Sequence, residues 1–261
     1  MHRIDLRPRR TSRKENGLTP AMIFFDTLDS TNTWAAAHFA ELADCELVAA
    51  AVQTAGRGRL DRTWISPRGN IYASFVQKDV ASPLLGVAAA SLAVLGLVRE
   101  LAPAEHFHIK WPNDVFRGTA KISGILSQYI SPRNGASGGL VTGIGVNLNM
   151  SRDELAGAAQ EATSVRILTG ASVDWQSALA RFEKLLSIHA AMLRNDPEAL
   201  FASWKTENGL LGHHVEFIAG DGSRLTGLFR DIDADGSVIL DEDGGRTLKL
   251  NCGDVRLLTR A

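Results

Sequence analysis

Cysteine is scarce in this chain: Cys45 and Cys252 are the two among 261 residues. They stand about two hundred positions apart, which excludes both a disulfide framework and a CxxC metal knuckle. A reducing cytoplasm suits such a chain. An excess of one charge sign is also missing, since 28 Lys and Arg face 29 Asp and Glu for a net charge of -1. No global field is available to hold nucleic acid or an anionic membrane, so any polyanion must be met by locally clustered cations. Long hydrophobic runs are absent too. The longest, Leu84 to Val98, is interrupted by two glycines and a serine and stops at Arg99, short of the roughly 18 residues of a membrane span. It reads as a buried helix. The first 14 residues carry six Lys or Arg and no apolar core, so they are no secretory signal; residues 1–20 read as a flexible basic leader, with a nucleic-acid arm as the alternative. No solenoid repeat is visible. What is present, 45% hydrophobic and 22% charged residues, is the profile of an ordinary globular protein.

Between residues 21 and 211 apolar strand patterns alternate with helical ones. AMIFFDTL, ELVAAAVQ, IYASFVQ, HFHIKWPND, KISGILSQYI and GLVTGIGVNLNM predict strands, the last two joined as a long hairpin through SPRNGASGG. TWAAAHFAELA predicts a helix that Asp29, Ser30, Thr31 or Asn32 could cap. Leu84–Leu101 predicts a second helix, TSVRILTG further helical material, and VDWQSALARFEKLLSIHAAMLRN an amphipathic helix ending before Pro197. From about residue 212 to 261 the texture changes to short strands separated by GDG, ADG and EDGG turns, as in a small all-β barrel.

Several stretches carry residue types suited to anion chemistry. In TAGRGRLDRTWISPRGN, Arg57, Arg59 and Arg62 sit among glycines whose amides can also face a ligand, a combination that suits phosphate. Alone it reads first as a solvated surface loop. It is neither a Walker loop nor GxGxxG. KWPND followed by KISGIL places Lys110 and Lys121 beside strands, with Ser123 and Gly124 leaving room next to the second ammonium. In TGIGVNLN, Gly143 and Gly145 strip one face of side chains, for close approach of a ligand or for tight packing against a helix. Asn147 and Asn149 continue that face in register. Ser30, Thr31 and Asn32 of DSTN read first as helix caps.

Taken in order, DSTN, the Gln53–Asn70 loop, KWPND, KISGIL and GIGVNLN resemble the biotin protein ligases. That family's pattern is DSTN, QxAGRGRxGRxWxSPxGN, KWPND, KxxGIL and GxGxNxN, and the resemblance spans roughly Phe25 to Asn149. It implies an α/β (α+β) fold: a mixed sheet flanked by helices, like the catalytic core of class II aminoacyl-tRNA synthetases, followed by a small SH3-like β-barrel. It implies ATP, with Mg2+, as co-substrate and biotin as substrate, joined as biotinyl-5'-AMP before transfer to a lysine of a biotin carboxyl carrier protein. The biotin site would comprise Ser30, Thr31, Asn32, Gln53, Gly56, Arg57, Gly58, Arg59, Lys121, Gly124, Gly143 and Gly145. The adenylate site would comprise Arg57, Arg59, Arg62, Trp64, Asn113, Asp114, Lys121 and Asn147. Lys121, Arg59 and Arg57 would carry the chemistry, with no metal ligated directly by the chain.

Asp61 departs from the family's pattern, which has glycine there, and puts retention of the adenylate in question. About twenty residues precede the core, too few for a winged helix, so the repressor activity of some members and specific DNA binding are not expected. Neither is a membrane. A homodimer is compatible with the resemblance. The nearest rival is a lipoate or octanoate ligase or transferase; a non-catalytic adenylate sensor and a nucleic-acid module are further ones.

Overall fold

Apolar runs bounded by glycine, proline and capping residues set the elements. The computed structural model describes residues 9–11, 21–59, 62–132, 138–220 and 222–258. The rest of the basic leader, Asp61 and residues 133–137 of the long hairpin's connection lie outside the described residues.

The strands β1 (Arg9–Thr11), β2 (Met22–Leu28), β3 (Leu47–Gln53), β4 (Ile71–Lys78), β5 (Phe107–Lys110), β6 (Asp114–Arg117), β7 (Ala120–Ile130) and β8 (Gly139–Val146) form one mixed sheet. Its order is β1-β2-β3-β4-β8-β7-β6-β5, and the single parallel pair is β2 with β3. A parallel pair requires a crossover, supplied by α1 (Thr31–Ala37). The alternation of β3 divides its side chains between two cores: Val48 and Ala50 meet Phe25 and Ala35 on the α1 side, and Leu47 and Ala49 meet α2 (Pro83–Leu101) on the other. Burial on both faces explains the uninterrupted apolar run.

Helix α2 is long and apolar enough to cross a membrane by length and composition. Here it is core, with twelve of its residues buried between the sheet and α5 (Trp175–Asn195). Short helices α3 (Arg152–Leu155) and α4 (Val165–Thr169) follow β8. A helix that the sequence reading missed, α6 (Pro197–Thr206), begins at the proline expected to end α5. Asp196 caps it, and proline is well suited to a first helical position because its missing N–H has no intrahelical partner there anyway.

The C-terminal strands β9 (His214–Ala219), β10 (Arg224–Ile232), β11 (Val238–Glu242), β12 (Thr247–Leu250) and β13 (Gly253–Leu257) make an antiparallel sheet of order β12-β11-β10-β9-β13. Gly222, Gly236 and Gly245 take left-handed φ of 84°, 85° and 86° in its turns, which explains the GDG, ADG and EDGG signatures. Val215, Phe217 and Phe229 join the same apolar core as α2.

Four details differ from expectation. Helix α1 ends at Ala37 rather than near Ala43, and β6 is an extra strand after KWPND. Residues 9–11, placed in the leader, pair with β2. Strand β8 ends at Val146, and Asn149 does not continue its glycine face, whereas Asn147 lines the same cavity as Gly143 and Gly145.

Candidate active site

The segments singled out by sequence converge on one cavity of about 450 Å³, lined by the start of α1 and walled in part by the C-terminal sheet. Helix α1 starts at the cavity because Ser30 caps it, its Oγ accepting from Thr33 N. The cap brings Thr31 against β3, where Gln53 Oε1 accepts from Thr31 N at 2.9 Å and from Thr31 Oγ1 at 3.1 Å. Gln53 Nε2 donates to Ser66 Oγ at 3.1 Å. Ser74 Oγ on β4 lies 2.9 Å from Thr31 Oγ1 and 3.2 Å from Asn32 Oδ1. Thr31 and Gln53 are thus fixed by their neighbours before any ligand arrives.

The glycine and arginine-rich loop is a small hairpin. Trp64 N donates to Gly56 O at 2.9 Å and Gly58 N to Arg62 O at 2.7 Å, with Arg57 opposite Thr63. Gly56 itself lies off the cavity: a Cβ there would stand 2.5 Å from Trp64 O, so its role is close packing of the hairpin's base. Gly58, Arg57, Arg59 and Arg62 line the cavity. Arg59 Nη1 donates to Asn113 Oδ1 at 2.9 Å, and Asn113 Nδ2 donates to Ile125 O at 2.6 Å. KWPND therefore holds the loop to β7.

The glycines of β7 and β8 form a floor, with Gly124 directly opposite Gly145. Two of the chain's own side chains use it. A Cβ on Gly145 would come within 2.5 Å of Trp64 Nε1, and one on Gly143 within 2.9 Å of Asn32 Oδ1. Among the described residues the buried Trp64 Nε1 has no hydrogen-bond partner. Lys121 projects beside this floor, its Nζ 2.7 Å from Asp114 Oδ1 and 5.4 Å from the centre of the Trp64 ring. Both side chains are mostly shielded, 16% and 13% exposed, so their attraction is weakly screened. Among the described residues no aligned donor reaches this buried carboxylate oxygen, which leaves it the charge partner of Lys121.

The two asparagines of the NLN turn differ in place. Asn147 lines the cavity, but its Nδ2 donates to Thr163 O at 3.1 Å. Asn149 lies away from it, donating to Gly69 O and Val173 O and accepting from Val173 N. Asn70 Oδ1 accepts from Leu148 N and Asn149 N at 2.8 and 2.9 Å. The SPRGN and NLN signatures are therefore two halves of one clasp.

Sequence reading missed an apolar wall, Leu155, Ala158, Ala159 and Ala162, on α3 and the segment after it. That segment pairs with β7 through Lys121, whose N donates to Glu161 O at 3.0 Å and whose O accepts from Thr163 N at 2.8 Å. Small residues without periodicity gave no signal. Also missed was the side formed by Ile218, Arg224, Cys252, Asp254 and Arg256. It is held in place by Lys110 Nζ, which donates to Asp254 Oδ1 at 2.9 Å, and by Trp111 Nε1, which donates to Gly236 O at 2.9 Å. Burial pushes the Asp254 carboxyl up, but the Lys110 ammonium, the Val255 N–H and the charge of Arg62 together outweigh it and hold the group below the ordinary carboxylate value. Among the described residues no three His, Cys, Asp or Glu side chains cluster as a metal site.

The biotin/lipoate A/B protein ligase family model matches residues 24–147, and the model of the biotin protein ligase C-terminal domain matches residues 210–258. A biotin--[acetyl-CoA-carboxylase] ligase of Mycobacterium tuberculosis is 33% identical over 235 residues, 87% of this chain and 85% of that protein. One from Paracoccus denitrificans is 33% identical, covering 84% of this chain and 93% of the other. In fold the chain is similar to the Aquifex aeolicus biotin protein ligase solved with biotin and ATP, with a TM-score of 0.76, 24% identity, and coverage of 91% of this chain and 99% of that one.

Proposed function

The chain belongs to the biotin/lipoate A/B protein ligase family, and from that premise we propose that it activates biotin with ATP and transfers it to a lysine of a biotin carboxyl carrier protein. The supporting observation is the single cavity that unites DSTN, the Arg57–Trp64 hairpin, KWPND, Lys121 and the Gly124/Gly145 floor. The extension of the match into the C-terminal sheet favours biotin over lipoate or octanoate.

In the first step a carboxylate oxygen of biotin bonds to the α-phosphorus of ATP and pyrophosphate leaves. Two anions must meet, so fixed cations lower the barrier. We assign that work to Lys121, Arg57, Arg59 and Arg62, with magnesium arriving on the nucleotide as MgATP. Asp114 keeps the Lys121 ammonium at the edge of the floor. The product is a mixed anhydride that water would hydrolyse, and the hairpin's closure over it would exclude water. In the second step the carrier's lysine amine attacks the acyl carbon, forming an amide and releasing AMP. Ser30, Thr31, Asn32 and Gln53 are assigned to the biotin end, and Trp64, Asn113 and Asn147 to the nucleotide end.

The test is pyrophosphate release from MgATP by the purified protein with biotin, lipoate or octanoate supplied separately and no carrier. Release with biotin alone is expected. Preference for lipoate or octanoate would overturn the biotin assignment, and binding without release would make the protein a sensor.

A further inference from the structure

A second cavity of about 310 Å³ lies behind the apolar wall of the first, between the end of β6, α3 and α4. Its floor is apolar, from Leu155, Ala156, Ile167 and Leu168, and its rim carries Arg117 and Arg152. Arg117 is paired with Glu105 at 2.6 Å. Arg152 is exposed and has no side-chain partner among the described residues. The carboxylate among the lining residues, Glu161, accepts from Thr119 Oγ1 at 2.7 Å.

We propose that this cavity binds a small amphiphilic carboxylate, and that its occupancy is coupled to the main cavity through the wall they share. The size stands at the lower end of ligand pockets. An apolar floor takes a hydrocarbon tail, and a guanidinium without a partner takes a carboxylate through paired N–H donors. The rim offers two arginines and no glycine cradle, which argues against a polyphosphate. Leu155 and Ala162 line both cavities, and Ala162 sits in the backbone bridge that holds Lys121. A ligand behind that bridge braces it, so nucleotide and biotin should be held more tightly when it is bound. Linkage requires the converse as well.

The probe is decanoate, titrated into the full chain and followed by methyl NMR. Ile167 and Leu168 line only the second cavity, whereas Ile65 and Ile144 line only the first. Saturable shifts are expected at Ile167 and Leu168, with affinity falling at least about tenfold in Arg152→Ala and no such shifts with decylamine. Shifts confined to Ile65 and Ile144, an unchanged affinity in Arg152→Ala, equal binding of decylamine, or no saturable shift would each overturn the site. For the coupling, the Kd for ATP in the presence of biotin should drop at least about threefold with decanoate in the wild type and stay put in Arg152→Ala. An unchanged wild-type Kd would overturn the coupling. The NMR arm does not depend on the ligase activity, so the failure of one reading is distinguishable from the failure of the other.

Discussion

At the residue scale the site's chemistry concentrates on Lys121, whose ammonium touches Asp114 at 2.7 Å beside the glycine floor. Replacing it by alanine removes the positive charge closest to that floor. Adenylate formation should fall by about 10²–10³ in kcat, the cost of losing one preorganised stabilising donor, while circular dichroism stays native. Pyrophosphate release near the wild-type rate would remove Lys121 from the mechanism. Arg59 has a second task besides its charge, since it ties the hairpin to Asn113 at 2.9 Å. Arg59→Gly should still make adenylate but release it, labelling bystander lysines; labelling restricted to the carrier would argue against a retention role. Gly145 tests the floor itself. A methyl there meets the Trp64 indole at 2.5 Å, so Gly145→Ala should displace the ring, shift its fluorescence to the red and weaken ligand binding. An unchanged emission maximum would mean that the indole does not rest on that glycine in solution.

At the element scale the described part of the Gln53–Asn70 loop is tied down at its base and its end, where the sequence alone reads as a solvated loop. Its arginine hairpin is laddered by backbone bonds, and its end is clasped by the buried Asn70, which accepts from two backbone amides, while Tyr72 Oη donates to Pro67 O at 2.8 Å. Asn70→Ala orphans two amides, each costing about 1–3 kcal/mol when buried. A drop of several degrees in Tm is expected, and Asn70→Asp, which keeps an acceptor, should lose less; equal melts for all three would refute the clasp. The motif residues were legible because each carries chemistry that few other uses explain in that order: arginines among glycines, a lysine beside a small residue, DSTN before a helix. Asn149 was misread because the strand period projects it onto the glycine face, whereas the strand stops at Val146. Helix α6 was hidden by Pro197, which reads as a terminator until Asp196 is seen to cap a new helix.

At the scale of the whole molecule the C-terminal sheet is a wall of the cavity, bonded to KWPND through Lys110 and Trp111. The pH dependence of that joint follows from Asp254. Its folded carboxyl lies below the ordinary value of 3.8, so it binds protons less readily than in the unfolded chain. The contact's stabilisation is therefore present above that value and is lost as pH falls through the lower folded one. Thermal melts should show the wild type losing more stability below pH 3.8 than Asp254→Asn does; parallel losses would show that the pair does not secure the joint.

Most of the strands, the main helices, the change of texture near residue 212 and the family were determined by sequence alone, because local periodicity, glycine turns and ordered motifs are properties of contiguous residues. Only the tertiary structure decided which residues meet. The backs of the motifs bond to one another, as Asn70 does to the NLN turn and Lys110 to Asp254. The apolar wall of Leu155 to Ala162 becomes part of a site only where its backbone pairs with Lys121. Such contacts join positions far apart in the chain, and they are set by packing a common core that no local pattern encodes.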